Sequence, residues 1–548
     1  METLTWTGSL GATLGPVLII AVTLLGLALI GNFVAAYARS TQAVTAAGGA
    51  VVVPWRWSDR TSFFELAIPA VAVGLVLYAV EAFGSDPTLS DWLTEAGLPG
   101  WLNTTITALV FLLLGAFFAY LLQRAPAALY EWLIRWSFLV IVGVILAFAV
   151  FSQFTAYGGA GIFGEMSRQF LPVWLALALT FGLSSIFKRR LGLYGKLFDS
   201  VIGMIGFGLV MFWVFTAIFV GGFDLIGTHD PLAQVSGLKN APPGVPMPEG
   251  ETAFPHYLLG GDNLARDIFS RMVEGSVVVM MIAPLATLFA FMVGITLGLP
   301  AGYYGGRLDT VLSFLANLIL AFPVILLFYL LVTPEIIATG LPNYMAMVLF
   351  IFPLLFCGVL IHARYRNQPG KDYTILAIVL APLVLLYLSV INQDGSPVNF
   401  WPLDFFDIPG GILVVFVSVV FVNSPTVFRI VRGLALDIKT RDYVAAAQTR
   451  GERPWYIMLW EILPNARGPL IVDFCLRIGY TTILLGTLGF FGLGLPPESP
   501  DWGSTINEGR KLLLIYAHPA LPPALALLSL VLGLNLLADG LREESLRD

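Results

Sequence analysis

Thirteen apolar runs divide the sequence, near residues 12–38, 63–82, 103–123, 134–152, 171–187, 199–222, 276–301, 310–333, 344–362, 373–392, 410–428, 469–495 and 519–540. Each is close to the ~20 residues that an α-helix needs to cross a hydrocarbon core of about 30 Å. A segment in that core must satisfy its own backbone polar groups, so solid runs of this length dictate helices. A transmembrane β-barrel would instead alternate in segments of about ten residues. Composition agrees: 57% of residues are hydrophobic and 12% charged, with a mean hydropathy of +0.84. Soluble domains carry about 25% charged residues. The expectation is an all-α polytopic membrane protein with about thirteen transmembrane helices, which disfavours a large soluble enzyme.

Lys and Arg fall unevenly between these runs, and such bias sets orientation. Alternate connections hold Arg39, Arg56 and Arg60; Arg124 and Arg135; Lys188, Arg189, Arg190 and Lys196; Arg307; and Arg364, Arg366 and Lys371. The same series then holds Arg429, Arg432, Lys439, Arg441, Arg450, Arg453 and Arg467, followed by Arg542 and Arg547. These are most of the 29 basic residues, while the acidic connection 83–102 has none. The N-terminus is therefore expected outside and the C-terminus in the cytoplasm. No Lys or Arg occurs in the first ten residues, so no cleavable signal is expected.

The most basic inner connection, 429–468, contains RDYVAAAQTRGERPWYIMLWEILPN, residues 441–465. Tyr443, Ala446, Ala447 and Arg450 recur at three- and four-residue spacing, which predicts one shared helical face. Two alanines there allow close approach of a partner. Gly451 predicts a helix stop, and Pro454 suits the first turn of a new helix. A second helix over 455–462 would carry Trp455, Leu459 and Ile462 on one side, with Pro464 ending it. This helix–turn–helix elbow is either a docking element for a cytoplasmic partner or a basic amphipathic hairpin lying on anionic lipid.

Other residues offer narrower choices. Asp473 and Arg477 lie one helical turn apart within a span, where an unpartnered charge costs about 2.5–3.5 kcal/mol. They form either an intrahelical ion pair or a polar contact in a translocation path. Trp401 and Trp502 are expected as anchors at external membrane edges. The Pro/Gly-rich stretch 223–257 is either a plain outer loop or a contact for an external protein. Cys357 and Cys475 read as small buried hydrophobes. His229, His256, His362 and His518 have no zinc-site spacing. No G-x-x-x-x-G-K-[ST] phosphate loop occurs, since GLYGK at 192–196 lacks its spacing.

The elbow resembles the "EAA" coupling loop of ATP-binding-cassette (ABC) importer permeases, in particular the dipeptide/oligopeptide family. Ala445, Ala446 and Ala447 stand in its first block, Gly451 at its glycine, and Leu463 with Pro464 at its end. Asp442 and Ala445 replace the two glutamates usual there, and Glu461 replaces a usual His. LLGGDNLARDIFSRMVEG (258–275) resembles the family's external segment, with Gly261 in place of Thr and Ala265 in place of Gly. AGYYGGRLDTVLSFLANLILAFP (301–323) resembles its inner turn, with Phe314 and Asn317 replacing the usual Arg and Asp. GLGLPPESPDWGSTINEGR (492–510) and LNLLADGLRE (534–543) follow the family closely.

The resemblance implies a six-helix type I permease core in two parts, 199–333 and 410–548. To this are added an N-terminal five-helix extension, 1–198, and an inserted helix pair, 334–409. It implies a non-enzymatic permease subunit in the inner membrane of a prokaryote, with di- or oligopeptides favoured over nickel, glycosides or other solutes. Implied partners are two ATPase subunits, a second permease chain, an external solute-binding protein and membrane lipid, but no nucleic acid. ATP and Mg would be used by the ATPases, with no cofactor or metal on this chain. The implied coupling residues are Asp442, Tyr443, Ala446, Ala447, Arg450, Gly451, Glu461, Leu463 and Pro464. On this reading Ala447→Arg leaves abundance intact and abolishes uptake. The competing class is a membrane-embedded scaffold or enzyme whose basic inner loop binds lipid.

Overall fold

The structure, a computed structural model, describes residues 3–46, 105–114, 127–190, 192–248, 254–391, 410–493 and 499–545. Among them are ten helices long and apolar enough to cross a membrane, or eleven if one bent pair is a single span. These fall at eleven of the thirteen expected positions. Of the other two, 63–82 lies outside the described residues, and 103–123 is represented by the apolar helix Thr105–Leu114.

The chain divides into two compact units. The first, Thr5–Ser167, holds α1 (Gly8–Ala46), α2 (Thr105–Leu114), α3 (Ala127–Ser152) and most of α4 (Gly161–Gln169). Within it α1 packs along α3. Thr5 and Trp6 accept hydrogen bonds at the start of α4, from Ile162 N (2.9 Å) and Phe163 N (3.0 Å).

The second unit, Met1–Leu4 with Arg168–Asp548, carries everything that bears on the site. Its helices begin with α5 (Leu171–Phe187), α6 (Val201–Gly221), α7 (Ile268–Tyr304), α8 (Gly306–Leu320) and α9 (Val324–Val332). Then follow α10 (Leu341–Leu349), α11 (Ile351–Tyr365), α12 (Pro369–Ile391), α13 (Gly410–Ile438) and α14 (Asp442–Thr449), and finally α15 (Arg467–Phe491), α16 (Trp502–Arg510) and α17 (Leu521–Ser545). The contact boundary at 167/168 places α5 with the core rather than with the extension ending at 198. The reason is aromatic packing: Phe170 and Trp174 lie 5.0 and 5.4 Å from Phe212 on α6.

The central axis is α7, whose 37 residues rise about 55 Å, well beyond the hydrocarbon core. It packs most extensively on α13. Gly294, Gly298 and Gly302 recur every fourth residue and form the contact. A Cβ at these positions would come within 2.5 Å of Val427 Cγ1, 2.9 Å of Val431 Cβ and 2.7 Å of Ala435 Cβ, respectively. Small residues at this spacing let two membrane helices approach backbone to backbone. The run expected at 310–333 is broken into α8 and α9, which meet at 81°. Pro323 marks that break, since proline starts α9 without a donor and disfavours helix in the residue before it.

Candidate coupling site

The expected elbow exists. Its first helix, α14, stops in a Schellman motif: Gly451 N–H donates to Gln448 O (2.9 Å) and Glu452 N–H to Ala447 O (3.2 Å). Gly451 takes φ +80°, and a Cβ there would meet nothing within 4 Å. Conformation rather than space calls for glycine at this position. Pro454 begins the second rod, as expected. That rod comprises Pro454–Tyr456, a π-helical segment Ile457–Ile462 and Leu463–Asn465. Pro464 therefore does not end it at 462. Leu463 N–H reaches back five residues to Met458 O, and a wider turn relieves the clash between a proline ring and the carbonyl four residues earlier.

Burial divides the expected coupling face in two. Val444 and Ala447 are fully buried, whereas Tyr443, Ala446 and Arg450 are exposed. Ala447 belongs to an apolar cluster with Val444, Ile457, Met458, Leu459 and Ile462, seated against Phe291, Ile295 and Leu299 of α7 and Val431 and Ala435 of α13. Ala447 thus positions the elbow and is not available for direct contact with a partner. Arg at 447 would disrupt this packing, so intact abundance is not expected. The expected apolar side of the second rod splits likewise: Leu459 and Ile462 are buried, while Trp455 is exposed. Burial against the protein's own helices also removes the apolar face that a lipid-lying hairpin requires.

Sequence-distant polar residues of the elbow meet. Arg450 Nη2 donates to Glu461 Oε1 at 2.8 Å, joining its two arms, and Gln448 Nε2 donates to the Tyr303 hydroxyl at 3.2 Å. Asp442 is exposed in the first turn of α14, where a carboxylate complements the helix dipole. Leu463 is half-buried against the cluster, and Pro464 is exposed. Lys439 Nζ donates to the carbonyls of Gly302 (2.9 Å) and Tyr303 (3.5 Å), capping the adjacent end of α7.

The helix pair expected as an insertion touches the elbow directly. Trp460 Nε1–H donates to Leu360 O at 3.3 Å, and the Arg364 guanidinium lies 4.7 Å from the Trp460 ring centroid. Phe356, Val359, Leu360 and Ala363 of α11 pack on the elbow's apolar cluster. At the turn joining the pair, His362 Nδ1 and Asp372 Oδ2 are 2.8 Å apart, tying α11 to α12. Nothing local in the sequence marks Trp460 and Arg364, almost a hundred positions apart, as neighbours. The four-residue glycine spacing of α7, by contrast, is a signal that the sequence itself carries.

Asp473 and Arg477 are not at the elbow. Arg477 Nε donates to Asp473 Oδ2 at 2.6 Å within α15, the intrahelical arrangement, and Arg477 is buried. A neutral polar group lies deeper: Asn423 Nδ2 donates to Thr481 Oγ1 (3.4 Å), which is also 3.4 Å from Thr287 Oγ1. These three join α13, α15 and α7, and all are buried.

At the opposite end of α7, residues 223–248 and 254–271 form a folded cap. Val245–Pro246 pairs antiparallel with His256–Tyr257, and Gly261 bridges to Asp267. Asp267 caps α7 through Phe269 N (3.1 Å) and accepts from Thr228 Oγ1 (2.7 Å) and Ser270 Oγ (2.8 Å). His229 links Asp267 Oδ2 (2.9 Å) to Phe254 O (2.8 Å). Asp262 accepts from Arg266 Nε at 2.7 Å, Arg266 also pairs with Glu508, and buried Arg271 donates to Thr505 Oγ1 at 3.2 Å. Ala265, standing where the family pattern has Gly, takes φ +62°, a left-handed conformation that glycine adopts without strain. Trp502 is no membrane-edge anchor: it is 1% exposed, donates to Met272 O at 2.7 Å and lies edge-to-face with Trp213, ring centroids 5.0 Å apart. Trp401 lies outside the described residues. Burial pushes the Asp501 carboxyl above the usual carboxylate range.

A core of membrane-spanning helices, a cap at one end of α7 and a folded elbow between two spans define a multi-pass membrane protein. Residues 294–543 match the family model described as binding-protein-dependent transport system inner membrane component. The glutathione transport system permease protein GsiD of Pectobacterium atrosepticum is 30% identical over 287 residues, covering 52% of this chain and 71% of that protein. The dipeptide transport system permease protein DppC of Haemophilus influenzae is 28% identical over 289 residues, covering 53% and 73%. DppC of Alkalihalophilus pseudofirmus is 26% identical over 326 residues, covering 60% and 82%. The chain belongs to this family of inner-membrane transport components: it is a permease of the ABC importer type.

Proposed function

We propose that this chain is one of two permease subunits of an ATP-driven importer of short peptides, served by two cytoplasmic ATPases and an external binding protein. The peptide assignment follows the relatives, whose names specify dipeptide and glutathione transport. The elbow faces the cytoplasm in this reading, in keeping with the basic residues around it, and the ATPases use the ATP and Mg.

One observation carries the coupling assignment. The elbow is rooted by Val444, Ala447, Met458 and Ile462 in the packing of α7 and α13, yet keeps Tyr443, Ala446, Arg450 and Trp455 exposed. A motor protein gripping the exposed side would move a lever whose buried side is continuous with the spans. Closure of the ATPases on ATP would then bias the core between inward- and outward-open states, a two-state element driven from a remote site.

Ala446→Arg tests this without touching the buried side. In the assembled importer, membrane abundance should match the parent, while peptide uptake and peptide-stimulated ATP hydrolysis should fall to background. Parental uptake by a well-folded Ala446→Arg protein would refute the lever.

A further inference from the structure

A cavity of about 320 Å³ lies between α8 and α13, lined by Ser313, Asn317, Arg429 and Arg432. Asp309, Ser313 and Asn317 are four residues apart and share one face of α8. Arg429 and Arg432 lie three apart on α13 and face that stripe. Asp309 binds Arg432 through both oxygens, with Arg432 Nη2 donating to Oδ2 at 2.6 Å, and also accepts the Ser313 hydroxyl at 3.1 Å. Its charge is therefore matched by Arg432. Arg429 bonds to none of the described residues and is exposed. With the Ser313 proton given to Asp309, the cavity holds one surplus guanidinium and an amide, a donor set suited to an oxyanion.

Two further observations narrow the ligand. Phe314 and Leu318, each one residue beyond a cavity-lining position, are 64% and 51% exposed and form an apolar strip beside the polar one. Arg429 stands nineteen residues into α13, about 29 Å along its axis, close to the thickness of a hydrocarbon core. The guanidinium thus sits at head-group depth on the elbow side of the membrane. Basic pockets between spans at this depth bind anionic head groups.

We propose that this cavity seats the phosphate of an anionic phospholipid, with Arg429 and Asn317 donating to the phosphate and Phe314 and Leu318 carrying the acyl chains. A free inorganic anion or a peptide carboxylate shares the oxyanion chemistry but makes no use of the apolar strip.

The test is lipid retention by the full-length chain, purified from membranes of mixed phosphatidylglycerol and phosphatidylethanolamine and measured by native mass spectrometry. The parent and Arg429→Lys should retain phosphatidylglycerol in preference to phosphatidylethanolamine. Arg429→Gln should retain it about tenfold less well, the loss expected for one charge-assisted hydrogen bond. Arg190→Gln, which alters an exposed arginine outside the cavity, should behave as the parent. Unfolding temperatures equal to the parent's would show that Arg429→Gln acts on the site and not on the fold. Equal retention by Arg429→Gln and the parent, or no preference in the parent, would overturn the proposal. So would displacement of the lipid by excess inorganic phosphate or by a dipeptide, which would assign the seat to a free anion or to cargo.

Discussion

The two ends of α7 are held by opposite means. At the cap end, Asp262, Arg266, Asp267, Ser270 and Arg271 bond to one another, to Thr505 and Glu508 of α16 and to His229 and Thr228, and almost all are buried. At the elbow end, Phe291, Ile295 and Leu299 meet an elbow whose buried contacts are almost wholly apolar, with its charges left on the surface. Buried ion networks require particular partners in a particular geometry, and losing one partner leaves a desolvated charge behind. Apolar contacts are non-directional and tolerate small displacements. The cap end is thus held by contacts that resist displacement, and the elbow end by contacts that tolerate it.

Breaking the cap should have the largest effect. Arg266→Met leaves Asp262 and Glu508 without their closest cation and should cost about 3–5 kcal/mol, read as lower membrane abundance and an earlier thermal transition of the purified chain. An unshifted transition would show that the cap contributes little to stability.

Ala447→Arg comes next. A long charged side chain forced among Val444, Met458 and Ile462 should destabilise the elbow by about 1–3 kcal/mol from overpacking alone, seen as faster proteolysis at 441–466. Ala446→Arg, one residue earlier and on the surface, should leave proteolysis unchanged. Equal sensitivity of the two would erase the division between rooted and exposed sides.

The contact between α11 and the elbow sharpens the comparison further. Arg364→Ala and Trp460→Leu, singly and together, should give a coupling energy of about 0.5–2 kcal/mol, the range of a cation–π contact. If the elbow moves with α11, both substitutions should also lower peptide uptake per ATP hydrolysed. Additive effects on stability and an unchanged ratio would leave α11 a bystander.

The smallest effect expected is on pH dependence at the cap. Because burial raises the Asp501 carboxyl above its ordinary value, the folded chain holds a proton that the unfolded chain releases. Between the ordinary and the raised value, stability therefore increases as pH falls. Asp501→Asn keeps the acceptor for Ser504 N–H and should flatten this dependence of the unfolding temperature. An undiminished slope would assign it to other groups.

Periodicity and local chemistry carried much of this fold. Runs of about twenty apolar residues can be satisfied in a bilayer only as helices, and the expected positions are occupied wherever the chain is described. Gly451 and Pro454 marked the joint because φ > 0 and a missing N–H are properties of single residues. The resemblance located both the elbow and the 258–275 segment of the cap. Its departure at Ala265 turned out to be a strained left-handed residue, a detail that only the backbone reveals.

Which side of the elbow faces inward was not legible, because helical spacing groups Tyr443, Ala446, Ala447 and Arg450 within one arc without saying where its buried edge falls. The rod through Pro464 was misread because a π turn depends on neighbours that accept its extra width. The burial of Trp502 depends on Trp213 and Met272, hundreds of residues away, and no local signal separates such a side chain from a membrane-edge anchor. The sequence by itself determined the spans, the basic bias of their connections and the joint between two helices, since each follows from the chemistry of adjacent residues. Only the tertiary structure decided which elbow residues are roots and which are exposed, that α11 supports Trp460, and that Arg429 is the unmatched charge between α8 and α13. Those outcomes depend on contacts between residues far apart in the chain, and no residue carries them alone.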